Sequence, residues 1–519
     1  MDPRHYGSDR TPLGYGVVLG VVATGAGLAA AELVVGLVEG SASPIVAVGQ
    51  VFIDWVPKPL KDWAIDQFGT NDKVVLVIGA LVVVLLVGIT VGVMAIRGQR
   101  AGAYALTVAI GVLGGAAVLT RPAPTFGKLL PTIVGTAVSI AVLWWLGPRR
   151  RGSDSGVDAN GNPTVVPLDR RRFLIGAAGV GALAVIAAGL GRILQNRFDV
   201  AGERAALDLP PADSPPPALP ADAELGVEGI TPFVIPNDSF YRIDTALLTP
   251  SVSTTGWTLL IHGLVDRETV LTWEQLIALP MIEQYVTISC VSNEVGGKLV
   301  GNAKWTGVRL RDVLDIAGVQ ASATQLVGRS VDGWTAGMPT AWVMDADREP
   351  MIAFKMNDEP LPRIHGYPAR LIVPGLYGYV SATKWLKELE LTTLESFDGY
   401  WVPLGWAKEG PILTQSRIDT PHGGVAAGQV AIAGIAWAPD RGISRVEVAV
   451  DGVWRDARLS APISDATWVQ WVTDWAADAG THEIKVRATD GTGKLQDEQP
   501  SPPAPDGARG WHTIRVNVG

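Results

Sequence analysis

Long apolar stretches in the first 198 residues constrain this chain more than any other feature of its sequence. Five of them reach the length of about 20 residues that a helix needs to cross a lipid bilayer: residues 13–38, 74–96, 101–119, 129–146 and 173–194. A sixth, Pro44–Trp55, is shorter and contains Asp54, so we expect a re-entrant or interfacial piece. Residues 1–198 are therefore predicted to form a transmembrane helical anchor of about five spans.

Basic residues beside these stretches favour one orientation, because Lys and Arg are retained in the cytoplasm. With the N-terminus inside, ten arginines fall in cytoplasmic segments: Arg4, Arg10, Arg97, Arg100, Arg149, Arg150, Arg151, Arg170, Arg171 and Arg172. Five basic residues fall outside: Lys58, Lys61, Lys73, Arg121 and Lys128. An odd number of spans then places everything after residue 194 on the outer side of the cytoplasmic membrane.

The fifth stretch is preceded by Asp169-Arg170-Arg171-Arg172-Phe173-Leu174. This sequence resembles a twin-arginine export signal, in which two adjacent arginines precede an apolar run. That route carries folded domains, so an exported domain can contain a cofactor that was loaded in the cytoplasm. The alternative interpretation is a plain positively charged anchor. So far inside the chain, we expect the segment to remain uncleaved as an anchor.

The rest of the chain divides into three parts. Six prolines between Pro210 and Pro220 predict a stiff, extended linker over residues 199–225. Residues 226–396 mix strand patterns (257–263 and 371–374) with helix patterns (273–279 and 310–317), which indicates an α+β domain. In residues 397–519 helix patterns vanish from residue 418 onward, and β-alternation recurs at 430–435, 445–450, 482–488 and 511–518. This last pattern predicts a β-sandwich.

Charge and cysteine content exclude two classes of function. The net charge is −9 and no long basic block occurs, so nucleic acid is a poor partner. Cys290 is the single cysteine, which excludes an intrachain disulfide framework and a metal site made of cysteines alone. It follows the apolar, β-like run 286–289 and could be an inert core residue, a nucleophile paired with histidine, or a ligand to a soft metal.

Three blocks of residues, in a fixed order, carry a family resemblance. The first joins Cys290-Val-Ser-Asn293 to Trp305-Thr-Gly-Val-Arg-Leu-Arg-Asp-Val-Leu314. The second joins Met356-Asn-Asp-Glu-Pro-Leu-Pro362 to His365-Gly-Tyr-Pro-Ala-Arg370 and to Lys384-Trp385-Leu. The third comprises Ala436-Trp437, Val448-Ala-Val-Asp451-Gly452, Trp454, Trp468 and Arg487-Ala-Thr-Asp490. They resemble, respectively, the molybdenum-ligand segment, the pterin-binding stretch and the immunoglobulin-like dimerisation domain of the sulfite oxidase superfamily, over residues 230–518.

The resemblance implies a mononuclear molybdenum centre, with the Cys290 thiolate binding the metal beside a pyranopterin dithiolene and oxo ligands. A thiolate is a suitably soft ligand for a metal that changes oxidation state while an oxygen atom is transferred. Arg370 and the loop 381–384 would hold the terminal phosphate of the cofactor. The implied cofactor contacts are Asn237, Tyr241, Arg242, Asn293, Asp332, His365, Arg370, Ser381, Thr383 and Lys384, with Tyr241 and Arg242 also catalytic beside Cys290. Asp332 and His365 are each followed by glycine: for Asp332 an ordinary turn is an equally good interpretation, and for His365 a turn residue is the alternative.

One departure from the family concerns the substrate. Sulfite oxidases continue the Cys-x-x-Asn loop with paired arginines, where this chain has Glu294 and Val295. We expect a carboxylate there to repel sulfite, and therefore weak sulfite oxidation and a preference for a small neutral S-oxide or N-oxide. The chain contains no Cys-x-x-Cys-His haem motif and no Gly-x-Gly-x-x-Gly fingerprint. Electrons are therefore expected to pass through a separate carrier, a cytochrome or a quinone-linked membrane protein.

The resemblance thus implies an oxidoreductase with a molybdenum-molybdopterin cofactor. The apolar stretches and the basic residues predict a multi-domain chain with a membrane anchor in contact with lipid and with the catalytic domain on the extracytoplasmic side. The resemblance also allows a homodimer through the C-terminal domain. Two alternatives stay open. One is a cysteine hydrolase that uses Cys290 with His262 or His365. The other is an extracellular binding protein that keeps the fold without cofactor.

Overall fold

The computed structural model describes residues 13–38, 43–57, 60, 63, 67–68, 72–120, 126–148, 170–196 and 199–519. Several residues used above lie outside these ranges: Arg4, Arg10, Lys58, Lys61, Arg121, Arg149, Arg150, Arg151 and Asp169, together with the side chain of Asp54. The chain separates into two compact units. The first ends at Asp199 and includes Ala246–Leu248, and the second comprises Val200–Thr245 and Thr249–Gly519.

The described helices of the first unit follow the apolar stretches of the sequence. They are α1 Leu13–Leu37, α2 Pro44–Trp55, α3 Asp72–Ile96, α4 Arg100–Leu119, α5 Phe126–Leu146 and α6 Arg170–Asn196. Five of them, all except α2, are long and apolar enough to cross a membrane. Each stretch expected to span is therefore found as a helix, and the 12-residue α2 matches the shorter sixth stretch.

Helix α1 packs against α3, α5 and α6 through small residues. A Cβ on Gly20 would lie 2.1 Å from the carbonyl oxygen of Gly88 in α3, so a larger residue cannot occupy that position. A Cβ on Gly27 would lie 2.0 Å from the Ser139 hydroxyl oxygen of α5. Such contacts let helix backbones approach closely where apolar surroundings give no hydrophobic drive for association.

An acidic side chain lies within α1. The Glu32 carboxylate accepts hydrogen bonds from the Ser43 hydroxyl at 2.6 Å and from the Gln195 amide at 3.0 Å. A carboxylate among apolar helices is costly unless it is hydrogen-bonded. These two bonds therefore account for its position inside the helical unit.

Two sheets build the first part of the second unit. One has the order β2-β1-β10-β5-β6, with β1 parallel to β10, and the other has the order β3-β4-β7-β8, with β9 added beside β7. The strands are β1 Thr258–Gly263, β2 Thr269–Thr272, β3 Met281–Ser289, β4 Val300–Arg309, β5 Gln325–Ser330, β6 Thr335–Pro339, β7 Met351–Met356, β8 Glu359–Pro360, β9 Arg370–Ile372 and β10 Leu386–Thr392.

Short helices connect these strands, and they support the predicted α+β class. They are α7 Ala201–Ala206, α8 Trp273–Ile277, α9 Leu310–Ala317, α10 Thr340–Val343 and α11 Gly378–Ser381, with 3-10 turns at Arg363–His365 and Val402–Leu404. The helix expected over 310–317 is found at those bounds. The helix expected over 273–279 ends two residues earlier, at Ile277. Thr272 begins it with a capping box shared with Gln275.

The C-terminal region is built from two further sheets, with no helix between residues 418 and 518. Their orders are β11-β13-β17-β16 and β12-β19-β18-β14-β15. Both sheets contribute to one core, as shown by Ile432 and Trp471 from one and Val448 and Ile484 from the other. Strand β17 was not predicted, because its first four residues are all buried and hide the alternation. The strands are β11 Gln415–Thr420, β12 Gly424–Val425, β13 Gly428–Trp437, β14 Ile443–Val450, β15 Val453–Asp456, β16 Arg458–Leu459, β17 Val469–Ala477, β18 Gly480–Asp490 and β19 His512–Val518.

The proline-rich segment is not the free spacer that its composition predicts. The Arg204 guanidinium in α7 donates to the backbone carbonyls of residues 360 and 361 at 2.7 and 2.8 Å. Leu209 is buried in the core of the second unit, and Ser214 forms a parallel bridge to Ile282 of β3. Proline restricts the backbone of this segment. Its polar and apolar residues bind it to the surface and core of the second unit. The Glu203 carboxylate adds three contacts, to the hydroxyls of Ser253, Thr254 and Tyr367.

Candidate active site

The single thiol lies where β3 ends and a loop leads to β4. The Cys290 N–H donates to the Leu299 carbonyl at 2.9 Å, and the Leu299 N–H donates to the Asn293 side-chain oxygen at 2.7 Å. These two bonds close the base of the loop. Asn293, expected to contact a cofactor, is therefore buried in the loop and holds its shape.

The C-terminal region fixes this loop from the other side. The Arg417 guanidinium of β11 donates to the Gly297 carbonyl at 2.8 Å. Gly296 has φ +77° and packs against the His512 ring, so that a Cβ at this position would lie 2.3 Å from it. On β3 itself, the Thr287 N–H donates to the Ala466 carbonyl at 2.9 Å. The position of the thiol thus depends on the C-terminal sheets.

Cys290 lines a pocket of the second unit. Six of the residues singled out from the sequence line this pocket, and they come from separate segments of the second unit. The structure therefore brings together Tyr241, Cys290, Asp332, His365, Arg370 and Lys384.

Arg370 is a buried cation at the start of β9, with 2% of its surface exposed. It donates to the His365 carbonyl at 3.0 Å, and its guanidinium carbon lies 5.0 Å from the centre of the Trp305 ring. Burial lowers the pKa of Arg370 to about 10. No carboxylate in the described part of the chain pairs with it, so a buried positive charge lacks a counter-charge there.

Lys384 is the second buried cation. Its ammonium donates to the Asp244 carboxylate at 3.2 Å and to the Ile364 carbonyl at 3.1 Å. Burial lowers the pKa of Lys384 to about 8, although the charge of Asp244 acts in the opposite direction. Asp244 also pairs with Arg242 at 2.8 Å. Two cations, Lys384 and Arg242, thus share one carboxylate. The excess positive charge suits an anionic group such as a phosphate.

His365 ends the 3-10 turn and is 1% exposed. Its Nε2 lies 3.0 Å from the backbone oxygen of Asn237, and since a carbonyl only accepts, the proton is on Nε2. Burial, followed by the charges of Lys384 and Arg370, lowers the pKa of His365 to about 3. The ring is therefore neutral at pH 7, and Asn237 holds it through the backbone.

Two weak acids, Cys290 and Tyr241, face the pocket together. Burial raises the pKa of the Cys290 thiol, while Ser292 and the charge of Lys384 oppose that change. Burial also raises the pKa of Tyr241, and a charge on Cys290 would raise it further. A thiol in this setting becomes a thiolate only if a strong positive charge, such as a metal ion, lies next to it.

Asp332 is both a turn residue and a residue of the pocket. It begins an Asp-Gly turn in which Gly333 has φ +90°, and its carboxylate accepts a hydrogen bond from the Trp334 N–H at 3.0 Å. The same residue lines the pocket, and burial raises the pKa of its carboxyl. The turn therefore presents the Asp332 carboxyl group to the pocket.

Other residues expected to contact a cofactor are not among the pocket-lining residues. Arg242 is exposed and pairs with Asp244, and the Asn237 amide donates to the Met356 carbonyl. The Ser381 hydroxyl donates to the carbonyl of Tyr377, the residue before α11, and is therefore already hydrogen-bonded. Thr383 is fully buried, and its hydroxyl has no partner in the described structure. Arg242, Asn237 and Ser381 therefore bond to other parts of the protein, whereas the buried Thr383 hydroxyl does not.

Glu294, the residue expected to repel sulfite, also lies apart from the pocket. It is exposed and is not among the lining residues, so no contact supports the expected repulsion. Sequence reasoning missed the aromatic lining instead. Tyr379 and Trp406 have ring centres 6.0 Å apart, and Trp401 and Trp406 have ring centres 6.4 Å apart. The close spacing of three aromatic residues in Tyr400-Trp401 and Trp406 was the available signal.

The cysteine-hydrolase alternative lacks its required geometry. No histidine hydrogen-bonds to Cys290 within the described ranges of the chain. His262 lies on β1, where its Nε2 is 2.6 Å from the Glu388 carboxylate, and it does not line the pocket. His365 lines the pocket but donates its Nε2 proton to Asn237. Among the described residues, no histidine is therefore hydrogen-bonded to the thiol as a cysteine hydrolase requires.

One pocket of the α+β domain thus combines a buried thiol with two buried cations, a set that suits a soft metal and an anionic group. Residues 246–401 match the family model of the oxidoreductase molybdopterin binding domain. The chain is 34% identical over 156 residues to the uncharacterized oxidoreductase YuiH of Bacillus subtilis, covering 30% of this chain and 75% of that protein. The chain therefore belongs to the sulfite oxidase-like family of molybdopterin oxidoreductases, and this membership implies a molybdenum cofactor.

Two further relatives place the match in context. The chain is 30% identical over 357 residues to the mitochondrial sulfite oxidase of Homo sapiens, covering 58% of this chain and 64% of that protein. It thus spans less than two thirds of that relative. Among solved structures, the sulfane dehydrogenase SoxCD of Paracoccus pantotrophus aligns over 56% of this chain and 82% of that chain, with 25% identity and a TM-score of 0.48.

Proposed function

We propose that this protein is a membrane-anchored molybdenum oxidoreductase that transfers an oxygen atom to or from a small neutral substrate. A separate carrier exchanges electrons with it. The observation that carries the proposal is the convergence of one thiol and two buried cations on a single pocket. Family membership disfavours the alternative of a cofactor-free binding protein.

The pocket residues fit the cofactor in three roles. Cys290 would bind the metal, since it is the one thiol and its neutral form is otherwise favoured. Arg370 and Lys384 would bind the terminal phosphate, which supplies the negative charge that Arg370 lacks. His365 and Tyr241 would position the pterin. When bound, the cofactor supplies two-electron redox chemistry at a metal that can exchange an oxygen atom.

The remaining lining of the pocket supports a neutral substrate. Arg370 and Lys384 are the two cationic side chains that line the described pocket, and cofactor binding would use both. No further lining cation is then left for a dianion such as sulfite among the described residues. Trp334, Tyr379, Trp401 and Trp406 instead offer aromatic surface to the apolar groups of an organic S-oxide or N-oxide.

The first unit supports a position in the cytoplasmic membrane with the second unit outside. The Arg170 guanidinium at the start of α6 donates to the Tyr15 hydroxyl near the start of α1, at 2.7 Å. The two helices therefore begin on the same side of the unit, as five spans with both starts in the cytoplasm require. Ten basic residues on that side against five on the other favour this orientation.

The C-terminal region is proposed to be an immunoglobulin-like sandwich that can mediate a homodimer. Its two sheets and shared core support the sandwich. Multi-angle light scattering of the purified chain tests the dimer, and a monomeric mass at micromolar concentration would contradict it.

Metal analysis and substrate assays test the whole proposal. The full chain, purified in detergent from cells that make the cofactor, should contain close to one molybdenum and one pterin per chain. It should reduce dimethyl sulfoxide, methionine sulfoxide or an N-oxide with a reduced viologen dye as electron donor. Molybdenum-free protein, or cofactor-loaded protein without any such activity, would overturn the proposal.

A further inference from the structure

A second cavity lies within the first unit, between helices α1 to α5. It offers about 600 Å³ of free space, and none of its lining residues carries a charge. Glycines on several helices contribute to the lining. Gly79 of α3 differs from the others, because nothing lies within 4 Å of the position that its Cβ would take, so a larger side chain there would meet open space. The cavity is therefore an apolar space that suits an apolar ligand.

Hydroxyl groups are the polar side-chain groups of this lining. The Thr107 and Thr136 hydroxyls donate to carbonyls of their own helices, at 2.9 and 2.8 Å. Thr132 of α5 differs from them. It is 7% exposed, and its hydroxyl has no hydrogen-bond partner in the described part of the chain. A buried hydroxyl without a partner in apolar surroundings is unfavourable, and an acceptor on a ligand would relieve this cost.

We infer that this cavity binds a membrane quinone. A quinone combines an apolar body, which fits the uncharged walls, with a carbonyl oxygen that accepts a hydrogen bond from the Thr132 hydroxyl. The redox role of this ligand depends on the proposed function, whereas its binding does not. A quinol that binds there loses two electrons and two protons to become the quinone. An S-oxide or N-oxide takes up the two electrons and the two protons, and its oxygen leaves as water.

Binding is measured with the full chain in quinone-free lipid nanodiscs, by titration with a short-chain menaquinone analogue. Solvent extraction of protein purified from membranes, followed by chromatography, measures the quinone that co-purifies. We expect saturable binding of about one quinone per chain. Absence of saturable binding in the nanodiscs, or extracts that contain only phospholipid, would overturn the inference.

Two pairs of variants locate the site. Gly79→Phe fills the cavity and should abolish binding, whereas Gly181→Phe on α6 also has open space and lies outside the lining, so it should bind as the parent does. Thr132→Val should weaken binding about tenfold, the value of one lost hydrogen bond. Thr107→Val should have little effect, because that hydroxyl is already bonded. Equal binding by all four variants would place the quinone elsewhere.

These outcomes are separable from those of the proposed function. Molybdenum content and turnover with the viologen donor report on the pocket of the second unit. We expect both to stay unchanged in Gly79→Phe, while turnover with the quinol as donor falls at least tenfold. Loss of molybdenum from the parent chain would instead contradict the proposed function and leave the quinone titration valid.

Discussion

The Lys384 ammonium lies 3.2 Å from the carboxylate oxygen of Asp244 that also accepts a hydrogen bond from Arg242 at 2.8 Å. One carboxylate therefore faces two cations, and the more deeply buried of them keeps hydrogen-bonding capacity toward the pocket. Charge-assisted bonds to a phosphate would use that capacity. This arrangement makes Lys384 a direct test of cofactor binding.

Replacing Lys384 with Gln should lower cofactor retention about ten- to a hundredfold, because one charge-assisted hydrogen bond is lost. The measurement is molybdenum and pterin per chain after extended dialysis. Lys387→Gln is the matched control, since that lysine is half exposed and pairs with Glu388. Full retention by Lys384→Gln would exclude Lys384 from cofactor binding.

Replacing Cys290 with Ser should abolish turnover while the domain stays folded. An oxygen ligand is harder than a thiolate and changes the properties of the metal centre. Turnover with the viologen donor, thermal unfolding and electron paramagnetic resonance of reduced protein together check this outcome. His262→Gln serves as the control and should keep full activity, because His262 lies outside the pocket. Unchanged turnover in Cys290→Ser would remove the assignment of the metal ligand.

Replacing Trp406 with Ala should raise KM for an organic sulfoxide about five- to tenfold and change kcat less, because an aromatic contact to substrate is lost. The parent chain should oxidise sulfite only weakly. Steady-state kinetics with methionine sulfoxide and with sulfite measure both effects. Trp454→Ala, in the C-terminal region, is the control. Efficient sulfite oxidation by the parent chain would show that the aromatic wall does not select against anions.

Replacing both Arg170 and Arg171 with Lys should keep the second unit in the cytoplasm if export requires the folded domain. The charge is preserved, so a plain positively charged anchor would be unaffected. Protease accessibility in spheroplasts measures the location. Arg97→Lys combined with Arg100→Lys is the matched control. Unaltered accessibility in the Arg170 and Arg171 variant would exclude the twin-arginine route.

Asp490 should make stability depend on pH in the acid range. It is 1% exposed, and although burial raises its pKa, hydrogen bonds from Thr492, Lys494, Arg441 and Thr414 outweigh burial and lower it to about 2. A carboxyl whose pKa is depressed on folding stabilises the protein above its unfolded pKa of about 3.9, and this contribution is lost as the pH falls toward 2.

Asp490→Asn should therefore reduce the free energy of unfolding by about 2 kcal/mol at pH 7, and the difference from the parent should shrink below about pH 4. Thermal unfolding of the full chain in detergent at several pH values measures it. Asp474→Asn is the control, because Asp474 is exposed on β17. A difference that stayed constant from pH 7 to pH 3 would show that the ionised carboxylate is not what stabilises this site.

The apolar helices could be predicted because a run of about 20 apolar residues has one stable solution in lipid, a helix with its backbone hydrogen bonds satisfied. The docked α7 could not be predicted. The acceptors of Arg204 are backbone carbonyls more than 150 positions further along the chain, at residues 360 and 361. Every residue has a backbone carbonyl, so the sequence does not reveal which ones accept these hydrogen bonds. Composition therefore indicated only a spacer.

The candidate site shows the same division. Cys290, His365, Arg370 and Lys384 were found because ordered motifs contain them, and the fold brings all four to one pocket. Motif membership also singled out Asn293, and in the structure its side chain closes the loop that carries the thiol. Asp244 and the aromatic lining were missed, because tertiary packing rather than local sequence brings them to the pocket.

Hydrogen bonds from Thr287 to Ala466 and from Arg417 to Gly297, with Gly296 seated on His512, tie the thiol loop to the C-terminal sheets. A chimera that takes the residues after 397 from a relative would have to keep partners for Thr287, Gly296 and Gly297 in these three contacts. The point at which such chains can be cut and rejoined without losing the thiol geometry therefore lies before β3. For chimera construction, the α+β part and the C-terminal sheets of the second unit should be exchanged together.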